Sequence, residues 1–198
     1  MHHQFSSSPA CASVWCPPSF ITTAERSGID WRGEVAALNA VLPVGSIQRE
    51  RALAAVTTHD LTYPPYYIKS FHAYPEGNLG WLPAFEVRSA TLSVCKRLYD
   101  HLPARVAHDR TRAMFFRFIM NHAPQGWYLK PQLDIADVGC GIGLSARDVA
   151  SRIMSLRGKE LPLLRMKAVD PSPYFLAVAK IFQAEADAME ASTPKGLC

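Results

Sequence analysis

The stretch Leu133-Asp-Ile-Ala-Asp-Val-Gly-Cys-Gly-Ile-Gly143 is the feature that most constrains what this chain can fold into. An apolar run of strand character over about 133–138 meets three glycines within five residues, and a helical pattern comes next over about 144–156. A second strand is predicted over about 164–169; it closes on Asp170, and a further helix is predicted from about Ser172 to Met189. Two neighbouring strands joined through a helix pair in parallel, because the crossover returns the chain to the end of the sheet where it began. The predicted class is therefore α/β.

The glycine turn has a chemistry of its own. Gly139, Gly141 and Gly143 lack Cβ atoms, so the backbone can take positive φ and a ligand can lie directly against it. The alternative is a tight structural turn. Ligands of open α/β sheets bind outside the carboxyl ends of the strands, where Asp170 also falls. A carboxylate there can accept from both hydroxyls of a ribose, or it can cap the helix beginning near Ser172. Asp137 bears on which nucleoside is bound. An acid two residues before the first glycine repels a pyrophosphate and attracts an ammonium. S-adenosylmethionine carries an α-amino group, a ribose and a sulfonium and no phosphate, so Asp137 and Asp170 suit its two ends. The competing reading is an NAD(P)-dependent oxidoreductase, because Gly141-Ile-Gly-Leu-Ser-Ala146 also fits the G-x-G-x-x-A dinucleotide fingerprint.

The chain ahead of this unit reads as a helical N-terminal region, 31–126, behind a disordered tail or transit-like segment, 1–30. The first 24 residues contain no acid and are rich in Ser and Pro, although they lack the arginines of an organelle leader. Helices are predicted over Trp31–Leu42, from Ser46 to about Thr58, over Phe85–His101, and from Pro103 to His122. In the third, Leu92, Cys95, Leu98 and Tyr99 form the predicted apolar face; in the fourth, Met114, Phe115, Phe118 and Ile119 do. Between the second and third lies an aromatic loop, 63–83, whose tyrosines and Trp81 are interleaved with Pro and Gly. The boundary with the α/β part, 131–198, is drawn at Gly126 to Pro131. A net charge of +4 without a basic run gives no strong argument for a nucleic-acid partner, and none is inferred. No apolar run approaches the length that would span a bilayer. Five scattered cysteines make neither a disulfide framework nor a zinc site and suit a reducing compartment, cytoplasmic or plastid.

The segment Asp137-Val-Gly-Cys-Gly-Ile-Gly143 resembles the first motif of class I S-adenosylmethionine-dependent methyltransferases. The stretch Val169-Asp-Pro-Ser-Pro-Tyr-Phe-Leu-Ala-Val-Ala179 resembles the segment after that motif in the same class. Tyr66-Tyr-Ile-Lys-Ser-Phe-His-Ala-Tyr-Pro-Glu-Gly-Asn-Leu-Gly-Trp81 is similar to the N-terminal signature of a methyltransferase group of cyanobacteria and plastid-bearing eukaryotes. The resemblance implies a Rossmann-like core, with Asp137, Gly139, Gly141, Gly143 and Asp170 as the donor-binding residues. It also implies strands and acceptor-shaping motifs beyond the second helix, which this chain does not carry. The linker Arg157–Arg165 departs from the usual short entry to the second strand. A truncated or degenerate copy is therefore expected, and a non-catalytic donor-binding fragment or partner protein is the alternative to an active enzyme.

Methyl transfer from a sulfonium requires positioning and sometimes a base. His72, in the aromatic loop with Tyr74, Glu76 and Asn78, is the candidate base if that loop forms a lid. Trp81 and Tyr67 are candidates for a pocket wall, or for core packing. Cys140 reads as a small filler, since no histidine adjoins it. His101, His108 and His122 lack ligand-like spacing, so no metal site is inferred. The expected partners are a small-molecule or lipid methyl acceptor and a partner strand at the exposed edge of the sheet.

Overall fold

The computed structural model describes residues 18–70, 74–157 and 163–192. Seven helices and two strands are formed among these residues. The N-terminal helices are α1 (Pro18–Arg26), α2 (Trp31–Val41), α3 (Ile47–Ala54), α4 (Trp81–Leu98) and α5 (Ala104–His122). After the 3-10 turn Trp127–Leu129 come β1 (Gln132–Val138), α6 (Leu144–Arg157), β2 (Leu163–Val169) and α7 (Pro173–Ser192). The strands pair in parallel from Gln132↔Leu163 to Val138↔Val169. The chain is thus mixed α/β, mostly helical, with a small parallel sheet.

Local chemistry accounts for several boundaries. Asp30 caps α2 by accepting from Gly33 N, and Ser46 caps α3 by accepting from Arg49 N. Helix α3 stops at Ala54, short of the expected Thr58, and buries no residue. Helix α4 starts at Trp81 rather than Phe85, because Pro83 sits in the first turn, where its missing N–H is no loss. Helix α7 is capped by Ser172, whose Oγ accepts from Phe175 N.

Three expectations are corrected. The predicted tail through residue 30 is ordered from residue 18: α1 buries Ile21 and Ala24 against Trp31, and Phe20 meets the indole edge-on at 5.5 Å. The rest of the tail lies outside the described residues. On α4 the buried face is Phe85, Ser89, Ser93 and Cys95, while Leu98 is exposed and Tyr99 lies past the helix end. On α5 the buried positions are Ala104, Ala107 and Thr111, while Met114, Phe115, Phe118 and Ile119 are exposed. Phe115 and Phe118 continue the helical stripe of the buried residues. The stripe is real, but no described element packs over its second half.

One core crosses the predicted boundary at 126–131. Leu38, Leu42, Ala84 and Phe85 of the N-terminal helices pack with Ile142 of the glycine turn and with Phe175, Val178 and Phe182 of α7. The helical region and the α/β unit are therefore built on each other. Arg157 pins the opposite end of the sheet. Its buried guanidinium donates to the carbonyls of Tyr128 at 2.7 Å, Lys130 at 2.9 Å, Pro131 at 3.2 Å and Leu163 at 3.4 Å. These carbonyls lead into β1 and begin β2.

Arg157→Met keeps much of the volume and removes every one of these donors. It should destabilise the chain by about 2–4 kcal/mol, since each carbonyl loses a charged partner. Urea unfolding measures this, and a midpoint equal to the wild type would show that the pin contributes nothing.

Candidate functional site

The candidate residues converge where β1 and β2 end. Gly139, Gly141 and Gly143 have φ of +79°, +55° and +74°, a conformation that L side chains rarely adopt. The turn folds over the end of the second strand: Gly139 N and Cys140 N both donate to Val169 O, at 2.8 and 3.1 Å. A Cβ added at Gly139 or Gly141 would meet no atom within 4 Å, so both face open space. Gly143 instead packs beside α7, where a Cβ would touch Ala179 at 3.8 Å. Glycine is favoured at all three by conformation, and the first two face open space.

Asp170 ties the crevice together. Its Oδ2 accepts from Gly141 N at 2.8 Å and its Oδ1 from Ser172 N at 2.8 Å. Each oxygen keeps one lone pair for a further donor. Ser172, not Asp170, caps α7, so this carboxylate is not used up as a helix cap.

Asp137 lies opposite Ala168 in the ladder, on the half-buried face of β1. Its Oδ2 is buried and lacks a hydrogen-bond partner among the described residues. A buried carboxylate oxygen left in this state costs about 1–3 kcal/mol, which makes it a site where a cationic donor would be gained. Cys140 sits between the two acids. Burial, followed by the carboxylates of Asp170 and Asp137, pushes its thiol up to about 11. It is thus a neutral filler at physiological pH.

The aromatic loop closes over the β2 side. Tyr63 OH donates to Pro171 O at 2.9 Å, and Ser172 Oγ donates to Asn78 O at 2.6 Å. Tyr67 stacks on Tyr63 at 5.5 Å, beside Asn78. Burial and the charge of Asp170 push the Tyr67 phenol up to about 12, so it can donate but cannot serve as a base near neutrality. Tyr74 OH donates to the buried Glu86, and Glu76 is exposed. Trp81 belongs to the core, edge-on to Tyr174 at 5.2 Å. His72 lies outside the described residues.

No family model matches the chain, and neither a curated protein nor a solved structure does. The site therefore has to be read from its own geometry. Among the described residues no group of three His, Cys, Asp or Glu could hold a metal ion, and no helix is long and apolar enough to cross a membrane.

Sequence reasoning missed Tyr63 and Ser172 as members of the site. Their contacts join residues 108 and 94 positions apart, which no local pattern encodes.

With its pKa raised to about 11, Cys140 should react with iodoacetamide at pH 8 roughly a hundredfold more slowly than an unperturbed thiol. The thiolate is the reactive form, so the rate should climb as pH rises toward that value. Peptide mapping by mass spectrometry reads this site separately from the other cysteines, and fast labelling at pH 8 would refute the assignment.

Proposed function

We propose that this chain is an S-adenosylmethionine-dependent methyltransferase with a Rossmann-like class I core, acting on an acceptor other than nucleic acid. The observation that carries the reading is the unpartnered, buried Oδ2 of Asp137, set two residues ahead of a turn whose first two glycines face open space. An ammonium group satisfies that oxygen; a pyrophosphate would be repelled by it. At the other end of the crevice, the free lone pairs of Asp170 match the two hydroxyls of a ribose. The protonated Tyr67 adds a donor beside them.

Asp137 would hold the amino group, the backbone at Gly139 and Gly141 would lie along the ligand, and Asp170 would hold the ribose. Bound there, S-adenosylmethionine supplies an electrophilic methyl group on a sulfonium. The chain's own residues contribute orientation and exclusion of water. The loop anchored through Tyr63 and Asn78 covers the β2 side of the crevice, and the buried Cys140 keeps a reactive thiolate away from the methyl group.

A second reading is a donor-binding module completed by a strand from another chain. The observation favouring it is the free edge of β1, which pairs only with β2 among the described residues, and the 81% exposure of Val138 beside the turn. Sedimentation separates the two: a monomer that turns over the donor supports the first, and activity confined to an assembly supports the second.

Calorimetry should show the donor binding to the wild-type chain. Asp137→Ala should weaken that binding roughly ten- to a hundredfold, the worth of one hydrogen bond to a charged group. NAD(H) should give no heat with either protein. Binding of NAD(H), with the methyl donor silent, would overturn the reading in favour of an oxidoreductase.

A further inference from the structure

A second cavity, of about 810 Å³, opens between α4 and α5 and is bounded on its inner side by Trp31, the aromatic loop and the start of α7. This is the size of a pocket for a drug-sized ligand, which typically spans about 300–1,000 Å³. Its apolar wall includes Trp31, Val87, Val94, Leu98, Phe115 and Phe175.

Several polar side chains of the wall are engaged elsewhere, while Arg97 and Arg112 line it without an acidic partner among the described residues. Thr91 Oγ1 donates to Val87 O at 2.7 Å and Thr111 Oγ1 to Ala107 O at 2.8 Å, each within its own helix. Trp31 Nε1 and Tyr74 OH both donate to Glu86. Arg112 donates to Ser145 Oγ at 2.7 Å, and the guanidinium of Arg97 lies 4.5 Å from the ring centre of Phe20. The Asn78 side chain lies beside Tyr67. A ligand with several hydrogen-bonding groups along its body would lose its hydration here and gain little in return, and only an anionic end could be met, by Arg97 or Arg112. An uncharged lipophile loses nothing.

Hydrogen bonds link the wall of the cavity to the site at the strand ends. Asn78 and Phe175, both in its wall, bond to Ser172 from opposite sides, and Ser172 is bonded through its N–H to Asp170. Arg112 reaches the first turn of α6, which springs from the glycine turn.

We propose that this cavity seats the apolar body of a lipophilic methyl acceptor. The assignment of an acceptor rests on the reading of the crevice as the donor site. The exposed aliphatic groups at the mouth, Val94 at 54% and Leu98 at 61%, are the entry for such a molecule.

The test uses the full chain and N-phenyl-1-naphthylamine, a neutral apolar dye that fluoresces when removed from water. Its emission should rise saturably in the wild type. Val94→Trp narrows the mouth and should weaken the dye at least about tenfold while leaving S-adenosylmethionine binding unchanged. Leu98→Glu, which places a charge at the mouth, gives an independent reading if the tryptophan variant does not fold by circular dichroism. Phe118→Ser alters an exposed phenyl on α5 away from the cavity wall and should leave the dye unaffected.

Dye and donor should bind together without competition, since acceptor and donor must coexist. Saturable dye binding unchanged by both mouth variants, or lost with Phe118→Ser alone, would overturn the cavity as the seat. Competition between dye and donor would overturn the acceptor role. Donor binding with no dye binding overturns this proposal and leaves the crevice reading standing. Dye binding with no donor binding does the reverse: it removes the crevice reading, and the acceptor role with it, while the lipophile site remains.

Discussion

The carboxylate of Asp170 is the contact on which the rest of the site depends. It stands at the end of β2 and accepts from the backbone of Gly141, which comes after β1, and of Ser172, which opens α7. Two chain segments that are distant in sequence, the glycine turn and the β2–α7 junction, are thereby held at one point. Their positions result from it: the glycine turn is drawn over Val169, and Ser172 is aimed at Asn78 in the aromatic loop. A charged acceptor suits this role better than a neutral one, because hydrogen bonds to an ionised group are shorter and stronger. The same charge explains two perturbed neighbours. The thiol of Cys140 and the phenol of Tyr67 are both held protonated, burial being the larger cause and Asp170 the first of the charges.

What could be read in the sequence was whatever is local. The two strands, the turn between them and the acid after the second strand are specified by consecutive residues, and the structure places them within a residue or so of the expected bounds. The caps at Asp30 and Ser46 are short-range and equally visible. The misjudged features all depend on partners. Helix α1 lay hidden because the Ser- and Pro-rich composition around it masked a single pair, Ile21 and Ala24, that gains its stability only against Trp31. The apolar stripe of α5 was placed on the right face, but whether a stripe is buried depends on what packs over it. Ala104, Ala107 and Thr111 have a neighbour, and Phe118 has 62% of its surface in water.

The candidate site divides in the same way. Asp137, the glycines and Asp170 form a compact signature, and the structure brings them to one end of the sheet. The loop that closes over them carried an aromatic signal without an address. Tyr63 and Asn78 reach Pro171 and Ser172 across about half the chain. Only the tertiary arrangement distinguishes Trp81, which is packed in the core, from Tyr67, which faces Asp170.

A two-stranded parallel sheet is a weak object by itself, since parallel strands are normally covered on both faces and flanked on both edges. Here the pairing, which runs the length of both strands, is further secured at its ends. Arg157 gathers the carbonyls at the entry to both strands, and Asp170 gathers the amides beyond their exit. One is a buried cation on oxygens and the other a carboxylate on N–H groups, so each matches the polarity that the backbone presents at that end. A register slip by one residue would break both sets and turn Leu133 outward from its buried position. The register is therefore held by two ionic pins and one apolar side chain, and the free edge of β1 can stay open without the strands sliding past each other. That arrangement keeps Asp137, whose side chain would move to the other face on such a slip, beside the glycine turn.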